Sequence, residues 1–282
     1  MKPKVIAIVG PTASGKTKMA IDLAKQIDAE IVSADSRYVY RGFDIATAKP
    51  TLEERDGIEH HLIDIVEPEF DYSLANFYDD AKIAIQKILN KGKIPIIVGG
   101  TGLYFRVLLE TYDLPRVEEN PVLRQELETY EREDLLTELK KIDPLGYEKL
   151  KDSNKRRIIR ALEITKILGK PYSECATEKE PEYDVEWKIP DIVSREWLYD
   201  RINKRVDIMV EQGVIEETKK LLQKHGRIKN IVDTIGYREI ITYLDGLATL
   251  DEALDKLKQH SRNYAKRQLT WFRRNPELKI NC

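Results

Sequence analysis

Residues Gly10-Pro11-Thr12-Ala13-Ser14-Gly15-Lys16-Thr17 carry the clearest chemistry in this chain. Two glycines separated by four residues, then Lys and a hydroxyl, is the spacing of a phosphate-binding loop. Backbone N–H groups of such a loop turn inward on one concave face. That nest, with the positive end of the following helix, holds phosphate oxygens. Lys16 adds a point charge for the terminal phosphates, and the Thr17 hydroxyl is a ligand for Mg²⁺. The alternative is a chance Gly-rich turn, and the flanks argue against it. Val5 to Val9 is a β-branched run that reads as a buried strand. Met19, Ala20, Leu23 and Ala24 then recur at helical spacing. The loop implies a bound phosphate ester or diphosphate and does not by itself specify a nucleotide, so ATP binding stays open.

Three further stretches hold candidate groups. Glu30 to Ser36 reads as a second short strand ending in an acid. Ligands of open α/β sheets sit beyond the carboxyl ends of strands, which would put Asp35 beside the loop. A cap or turn formed by Asp35-Ser36 fits the same residues equally well. From Arg37 to Pro50 the periodicity is poor, and aromatics, hydroxyls and cations mix. That mixture suits an exposed base and a phosphate, or any polar surface loop. Ile94 to Val98 is a continuous apolar strand running into Gly99-Gly100-Thr101-Gly102. Thr101 is the one side chain there that can reach a ligand, unless the glycines only let the turn pack on the sheet. His60 and His61, adjacent in an expected strand over 60–65, point to opposite faces and read as structural rather than as metal ligands.

The elements that must position these groups alternate strand and helix as far as about residue 112, which predicts a parallel, doubly wound sheet. Ser73 to about Asn90 supplies one of its helices. The pattern then turns helical from Pro121 to about Cys175, with breaks at Pro121, Pro144 and Pro171. Residues 117–186 read as a helical insertion ending in the acidic stretch Thr177 to Glu182. Trp187 to Val193 is expected to rejoin the sheet as a strand. Helices follow over Arg195 to Met209, Ile215 to Leu222 and Leu250 to Arg273.

At 282 residues, with 41% hydrophobic and 34% charged residues, the chain reads as a soluble globular protein of one large domain with an insert, or of two domains. No apolar run reaches the length of a membrane span, and the start MKPKVIAIVG enters a strand directly, so no membrane association and a cytoplasmic location are expected. Cys175 and Cys282 have no C-x-x-C partner, so neither a zinc site nor a disulfide framework is supported. The formal net charge is only −2, yet cations cluster. Arg156 and Arg160 share a helix face with Arg157 beside them. Residues 256–274 hold seven Lys or Arg and no acid. Within them Arg262, Lys266 and Arg273 form a stripe near Tyr264 and Trp271. Such a stripe is either a solvated face or a footprint for a polyanion such as nucleic acid.

Taken together, GPTASGKT, VSADSRYVYRGFDIATAKP, GIEHHLIDI, PIIVGGTGLYF, RRIIRALEITKILGKP, LYDRINKRVDIM, TIGYREI and YAKRQLTWFRR resemble the tRNA dimethylallyltransferases, also called tRNA isopentenyltransferases, over essentially the whole chain. The resemblance implies an α/β fold: a P-loop NTPase-like parallel sheet core, 1–116 and 187–282, with an inserted all-helical domain, 117–186, that grips the anticodon stem-loop. It implies transfer of a dimethylallyl group from dimethylallyl diphosphate to N6 of adenosine-37 of tRNA, by a cytoplasmic monomer that uses Mg²⁺. Gly10 through Thr17 form the motif, and Thr12 to Thr17 would hold the donor diphosphate and Mg²⁺. Asp35 would accept the N6 proton, and Asp35, Ser36, Arg37 and Tyr38 would contact the target nucleotide. Thr101 would lie near the reacting centre, and Arg205 would reach the diphosphate. Arg124, Arg156, Arg157 and Arg160 would meet tRNA, as would the Arg262, Lys266 and Arg273 stripe. Two positions depart from the family pattern: Ala46 stands where Gly is expected, and Tyr38 where Gln is frequent. No zinc-finger extension follows, which points to the bacterial type. A P-loop kinase would share the loop but not need the basic C-terminal helix. An RNA-binding protein gated by the loop would not need Asp35.

Overall fold

Five short segments with β-branched or alternating residues build one all-parallel sheet. The computed structural model describes residues 2–110, 115, 117–175, 180–278 and 280. In chain order the first part runs β1 (Lys4–Val9), α1 (Lys16–Ile27), β2 (Ala29–Ser33), α2 (Leu52–Arg55), β3 (His60–His61), α3 (Leu74–Asn90), β4 (Ile94–Gly99) and α4 (Gly102–Leu109). Five helices follow: α5 (Pro121–Glu128), α6 (Arg132–Ile142), α7 (Pro144–Leu150), α8 (Lys155–Leu168) and α9 (Tyr172–Cys175). The last part is β5 (Asp184–Lys188), α10 (Arg195–Glu211), α11 (Val214–His225), α12 (Lys229–Val232), α13 (Tyr237–Leu244) and α14 (Leu250–Phe272).

The strand order is β3-β2-β4-β1-β5. The chain leaves β1 toward β2 and leaves β4 toward β5, in opposite directions across the sheet. The carboxyl ends of this central pair therefore open the crevice in which such sheets bind ligands. Ile6, Ile8, Ile31, Ile96 and Val98 of the three inner strands pack against Ala20, Ile21 and Ala24 of α1. Small alanines on α1 let that helix lie close to the sheet, which fixes the loop at its start. Ser73 caps α3 by accepting from Asn76 N–H at 3.1 Å, and the Asn76 side chain accepts from Ser73 N–H.

Two strands differ from the sequence expectation. The one expected over 60–65 ends after His61, because Leu62 and Asp64 take positive φ of 63° and 55° and break the ladder. Among the described residues neither histidine joins a cluster of metal-ligating side chains: His60 Nδ1 contacts Ile58 O at 2.8 Å and His61 Nε2 contacts Glu30 at 2.9 Å. The strand expected over 187–193 runs instead from Asp184 to Lys188, pairing Val185, Glu186 and Trp187 with Val5, Ile6 and Ala7. Pro190 has no N–H to give a ladder, and the residue before a proline is restricted too, so pairing stops short of it. Being an edge strand, β5 keeps Glu186 outward, where it pairs with Lys4 and Lys188.

The chain divides into two compact units, one of residues 1–109 and 182–282 and one of Glu110–Pro181. The second is built by α5 to α9. Asn120 and Asp143 cap α5 and α7 with Pro121 and Pro144 at the first helical positions, and Gly169 ends α8 in the left-handed region. Leu127, Leu135, Leu139, Ile158 and Leu162 form its core. Inside it Glu163 is fully buried and receives Arg124 Nε at 3.0 Å, Arg124 Nη2 at 2.9 Å, Arg160 Nη1 and Asn120 N–H at 2.7 Å. A buried carboxylate is tolerated only with such partners. Residues 176–179, part of the acidic stretch, and Cys282 lie outside the described residues. Cys175 is a free thiol.

Candidate active site

The phosphate loop follows β1 directly. Gly10 and Gly15 hold φ of 145° and 97°, which side chains rarely adopt, and Gly15 caps α1. A glycine cap offers no side-chain acceptor, which leaves the first N–H groups of α1 directed at an external anion. Lys16 Nζ donates to Pro11 O at 2.6 Å, and Ser14 Oγ is buried without a protein partner. Burial and the nearby Arg205 lower the Lys16 pKa to about 7, against the opposing pull of Asp35. Arg205 Nη1 donates to Thr12 Oγ1 at 3.1 Å. Thr12 is not wholly turned to a ligand, because its N–H donates to Gln268 Oε1 at 2.8 Å.

Asp35 stands two residues beyond β2, and both readings of it hold at once. Its Oδ1 accepts from Arg37 N–H at 2.9 Å, making the turn, and the residue still lines the cavity beside the loop. Burial raises its pKa, while the Arg37 N–H and the Lys16 charge pull it down. Ser36 N–H donates to Thr101 Oγ1 at 3.3 Å, and Tyr38 OH donates to Ala48 O at 2.7 Å. The glycines before Thr101 are there for close approach. A Cβ on Gly99 would lie 2.1 Å from Ala34 O, and one on Gly100 would lie 2.0 Å from Gln268 Nε2. Thr101 itself does not line the cavity, and acts on it through Ser36 and by facing Tyr264.

These groups surround one cavity of about 700 Å³. Lys16, Thr17, Asp35, Ser36, Arg37, Tyr38 and Arg205 line it, together with Thr12, Ala13 and Gly15. Four lining residues were given no place in the site by the sequence: Arg201, Tyr264, Arg267 and Gln268, of which Tyr264 stood out only as an aromatic beside the cationic stripe. Arg201 Nε donates to Ala13 O at 2.8 Å and its guanidinium lies 4.8 Å from the Trp197 ring centre. The others sit on α14, on the face opposite the cationic stripe. At about 100° per residue, Arg262, Lys266 and Arg273 cluster on one side of that helix and Tyr264, Arg267 and Gln268 on the other. Lys266 and Arg273 are exposed, while Arg262 Nη1 donates to Asn203 Oδ1 at 2.7 Å. Arg124, Arg156, Arg157 and Arg160 all belong to the helical unit, where Arg156 and Arg157 are exposed.

The wall over residues 43–48 is held from behind. The Glu217 carboxylate accepts from Ile45 N–H at 2.8 Å, Ala46 N–H at 3.1 Å and Tyr237 OH at 2.7 Å. The buried ammonium of Lys49 donates to Tyr40 O, Asp44 and Asp64 at 2.5 to 2.8 Å. Ala46, one of the two departures, packs its methyl toward Gly236, where an added Cβ would come within 2.7 Å. The other, Tyr38, uses its hydroxyl to close the same wall.

The IPP transferase family model matches residues 38–275, and the isopentenyl transferase model matches residues 3–67. The chain belongs to the IPP transferase family. It is 48% identical to the tRNA dimethylallyltransferase of Anoxybacillus flavithermus, over 97% of this chain and 88% of that one. Identity to the tRNA dimethylallyltransferase of Halalkalibacterium halodurans is also 48%, over 97% and 89%. Among solved structures, the full-length tRNA isopentenylpyrophosphate transferase from Bacillus halodurans superposes with a TM-score of 0.72 at 46% identity, covering 98% of this chain and 88% of that one. A eukaryotic dimethylallyltransferase acting on tRNA gives a TM-score of 0.83 at 31% identity, covering 96% and 70%. For an IPP transferase, the five-stranded parallel sheet with a phosphate loop at its centre is the fold that the motifs led one to expect.

Two features bear on bound groups. Among the described residues no three His, Cys, Asp or Glu side chains gather as a metal cage. No described helix is long and apolar enough to cross a membrane.

Proposed function

We propose that this chain transfers the dimethylallyl group of dimethylallyl diphosphate to N6 of adenosine-37, next to the tRNA anticodon, and releases diphosphate. One observation carries the reading: a half-buried carboxylate, Asp35, lines the same cavity as the phosphate loop, Lys16 and Arg205. An anion site and a base thus face one space large enough for a nucleobase and a small diphosphate ester.

The chemistry asks for both. The N6 lone pair of adenine is delocalised into the ring, so the amine is a poor nucleophile. A carboxylate that accepts the N6–H bond raises electron density on nitrogen and takes the proton as the N–C bond forms. Such general-base help is worth about 10²–10⁴-fold. Asp35 is the only carboxylate we assign to it, and Tyr38 and Ser36 would orient the base. As the allylic C–O bond breaks, negative charge grows on the diphosphate. The loop N–H groups, Lys16 and Arg205 are aimed at that charge, and preorganised donors of this kind usually give the largest electrostatic contribution. Thr17 fits Mg²⁺ because this cation needs few protein ligands when phosphate oxygens and water supply the rest; when bound it would neutralise the leaving group as a Lewis acid. Thr101 would act near the reacting centre by holding the Ser36 backbone.

To enter the cavity the adenine must leave its stack, at a cost of a few kcal/mol. We assign the offsetting phosphate contacts to Arg124, Arg156, Arg157 and Arg160 of the helical unit and to Arg262, Lys266 and Arg273 of α14. Recognition of the anticodon arm by residues 117–186 is part of this proposal. A tRNA substrate fits a cytoplasmic enzyme working as a monomer, which sedimentation with and without tRNA would test.

The deciding experiment incubates the protein with Mg²⁺, labelled dimethylallyl diphosphate and unmodified tRNA bearing adenosine-37. A parallel sample contains ATP in place of the donor. Label on that adenosine without ATP is the expected result. No transfer, with ATP phosphate passed to another acceptor, would make the protein a kinase instead.

A further inference from the structure

We propose that Gln268 is a positioning residue, one that fixes the phosphate loop and the Gly99–Thr101 loop relative to each other through two opposed hydrogen bonds. The inference rests on the reading that the loop holds the donor diphosphate. Gln268 is 5% exposed on α14. Its Oε1 accepts from Thr12 N–H at 2.8 Å, and its Nε2 donates to Gly100 O at 3.0 Å. The amide orientation is set by chemistry, since a backbone N–H only donates and a carbonyl only accepts. Both contacts reach far along the chain, across 256 and 168 residues.

The neighbours are arranged around this side chain. Gly100 leaves no room for a Cβ, which would lie 2.0 Å from Nε2, so the glycine answers to Gln268 as much as to the turn. Thr12, whose N–H Gln268 holds, receives Arg205 on its hydroxyl. Arg201 grips the next carbonyl, Ala13 O. Three side chains of α10 and α14 therefore hold the loop, and Gln268 alone among them also holds the second glycine loop. Tyr264 and Arg267, about one turn and one residue earlier on α14, line the cavity with Asp35. Gln268 thus ties the helix that walls the acceptor space to the loop that binds the donor. Its loss should weaken diphosphate binding and slow the chemical step, while leaving tRNA affinity unchanged.

The test compares wild type, Gln268→Met and Gln268→Glu. Inorganic diphosphate with Mg²⁺ is titrated into each by calorimetry, KM is measured for each substrate, and tRNA affinity is read by filter binding. The wild type should bind diphosphate, and Gln268→Met should bind it about tenfold more weakly, the scale of one misaligned charge-assisted hydrogen bond. KM for dimethylallyl diphosphate should rise and kcat fall in Gln268→Met, with tRNA affinity unmoved. Gln268→Glu keeps the acceptor for Thr12 but sets a carboxylate oxygen against Gly100 O. Its activity relative to wild type should recover as pH falls and the introduced carboxyl regains a proton to donate. If Gln268→Met fails to fold, this pH-dependent recovery carries the test alone. Unchanged diphosphate affinity in a folded Gln268→Met, a parallel loss in donor and tRNA terms that follows the melting temperature, or a flat Gln268→Glu ratio would overturn the inference. A wild type that does not bind diphosphate would instead overturn the reading of the loop on which it rests.

Discussion

Lys16 and Asp35 share a cavity and their ordinary charges are opposite, yet burial moves both toward neutrality. Two predictions belong to them. Asp35→Asn should retain tRNA binding and lose about 10²–10⁴ of its single-turnover rate; a rate equal to wild type would remove Asp35 as the base. Because its pKa is raised above the ordinary 3.8, kcat/KM should fall with decreasing pH through a midpoint above that value. Lys16 carries the second prediction. With a pKa of about 7 in the free protein, it is largely neutral at pH 8, and a bound diphosphate favours its charged form. Diphosphate binding at pH 8 should therefore take up a proton, seen as a buffer-dependent calorimetric enthalpy, and should weaken as pH rises past 7. Both residues were legible in the sequence because their signal is local, a fixed spacing in one case and a strand-end acid in the other. Gln268 and Arg201 were not. A Gln or Arg inside a charged helix has no local signature when its partners lie more than 160 residues away.

The loop over residues 43–48 is short of regular structure, so its shape depends on Glu217 of α11 and Tyr237 of α13. Replacing Glu217 with Ala leaves the Ile45 and Ala46 N–H groups without their acceptor, which should cost about 1–3 kcal/mol. Hydrogen exchange at residues 43–48 should quicken and KM for tRNA should rise; unchanged exchange there would show that the Lys49 clamp alone suffices. The helix α13 was not foreseen, although TIGYREI was quoted as a motif, because Gly236 precedes only eight helical residues. The inner strands, by contrast, announced themselves as continuous apolar runs. Edge strands did not: β3 is two residues long, and β5 alternates charge and apolar residues so weakly that the neighbouring Ile-Pro-Asp-Ile-Val run looked the better strand. In both cases pairing with one neighbour and local φ decided the ends, and neither is written in hydropathy.

For the molecule as a whole, a net charge of −2 must be reconciled with a polyanionic partner. Exposed cations stand together at Arg156 and Arg157 and at Lys266 and Arg273, which permits local attraction without overall basicity. Changing Arg156 and Arg157 together to Ala should weaken tRNA binding at every tRNA sequence. It should also lower the slope of log affinity against log salt by about 1.5–2, if each contacts one phosphate. An unchanged slope would mark these arginines as merely solvated. Arg124 and Arg160 should behave differently, since both also satisfy the buried Glu163, and their replacement should lower the melting temperature as well as affinity. The fold class and the place of the Gly10–Thr17 loop between β1 and α1 could be read from the chain alone. The division of labour among its arginines could not, because surface and structural arginines look the same until Glu163 is seen.

The contact between Thr12 and Gln268 also has a meaning during synthesis. The ribosome makes the phosphate loop early, but its anchoring side chain appears 256 residues later, on the order of tens of seconds at cellular rates of translation. The edge partner of β1 likewise waits for Asp184–Lys188. Throughout that interval the nascent chain carries the recognisable motif without the framework that shapes it. A product truncated before α14 should thus compete less well than finished enzyme for the prenyl donor.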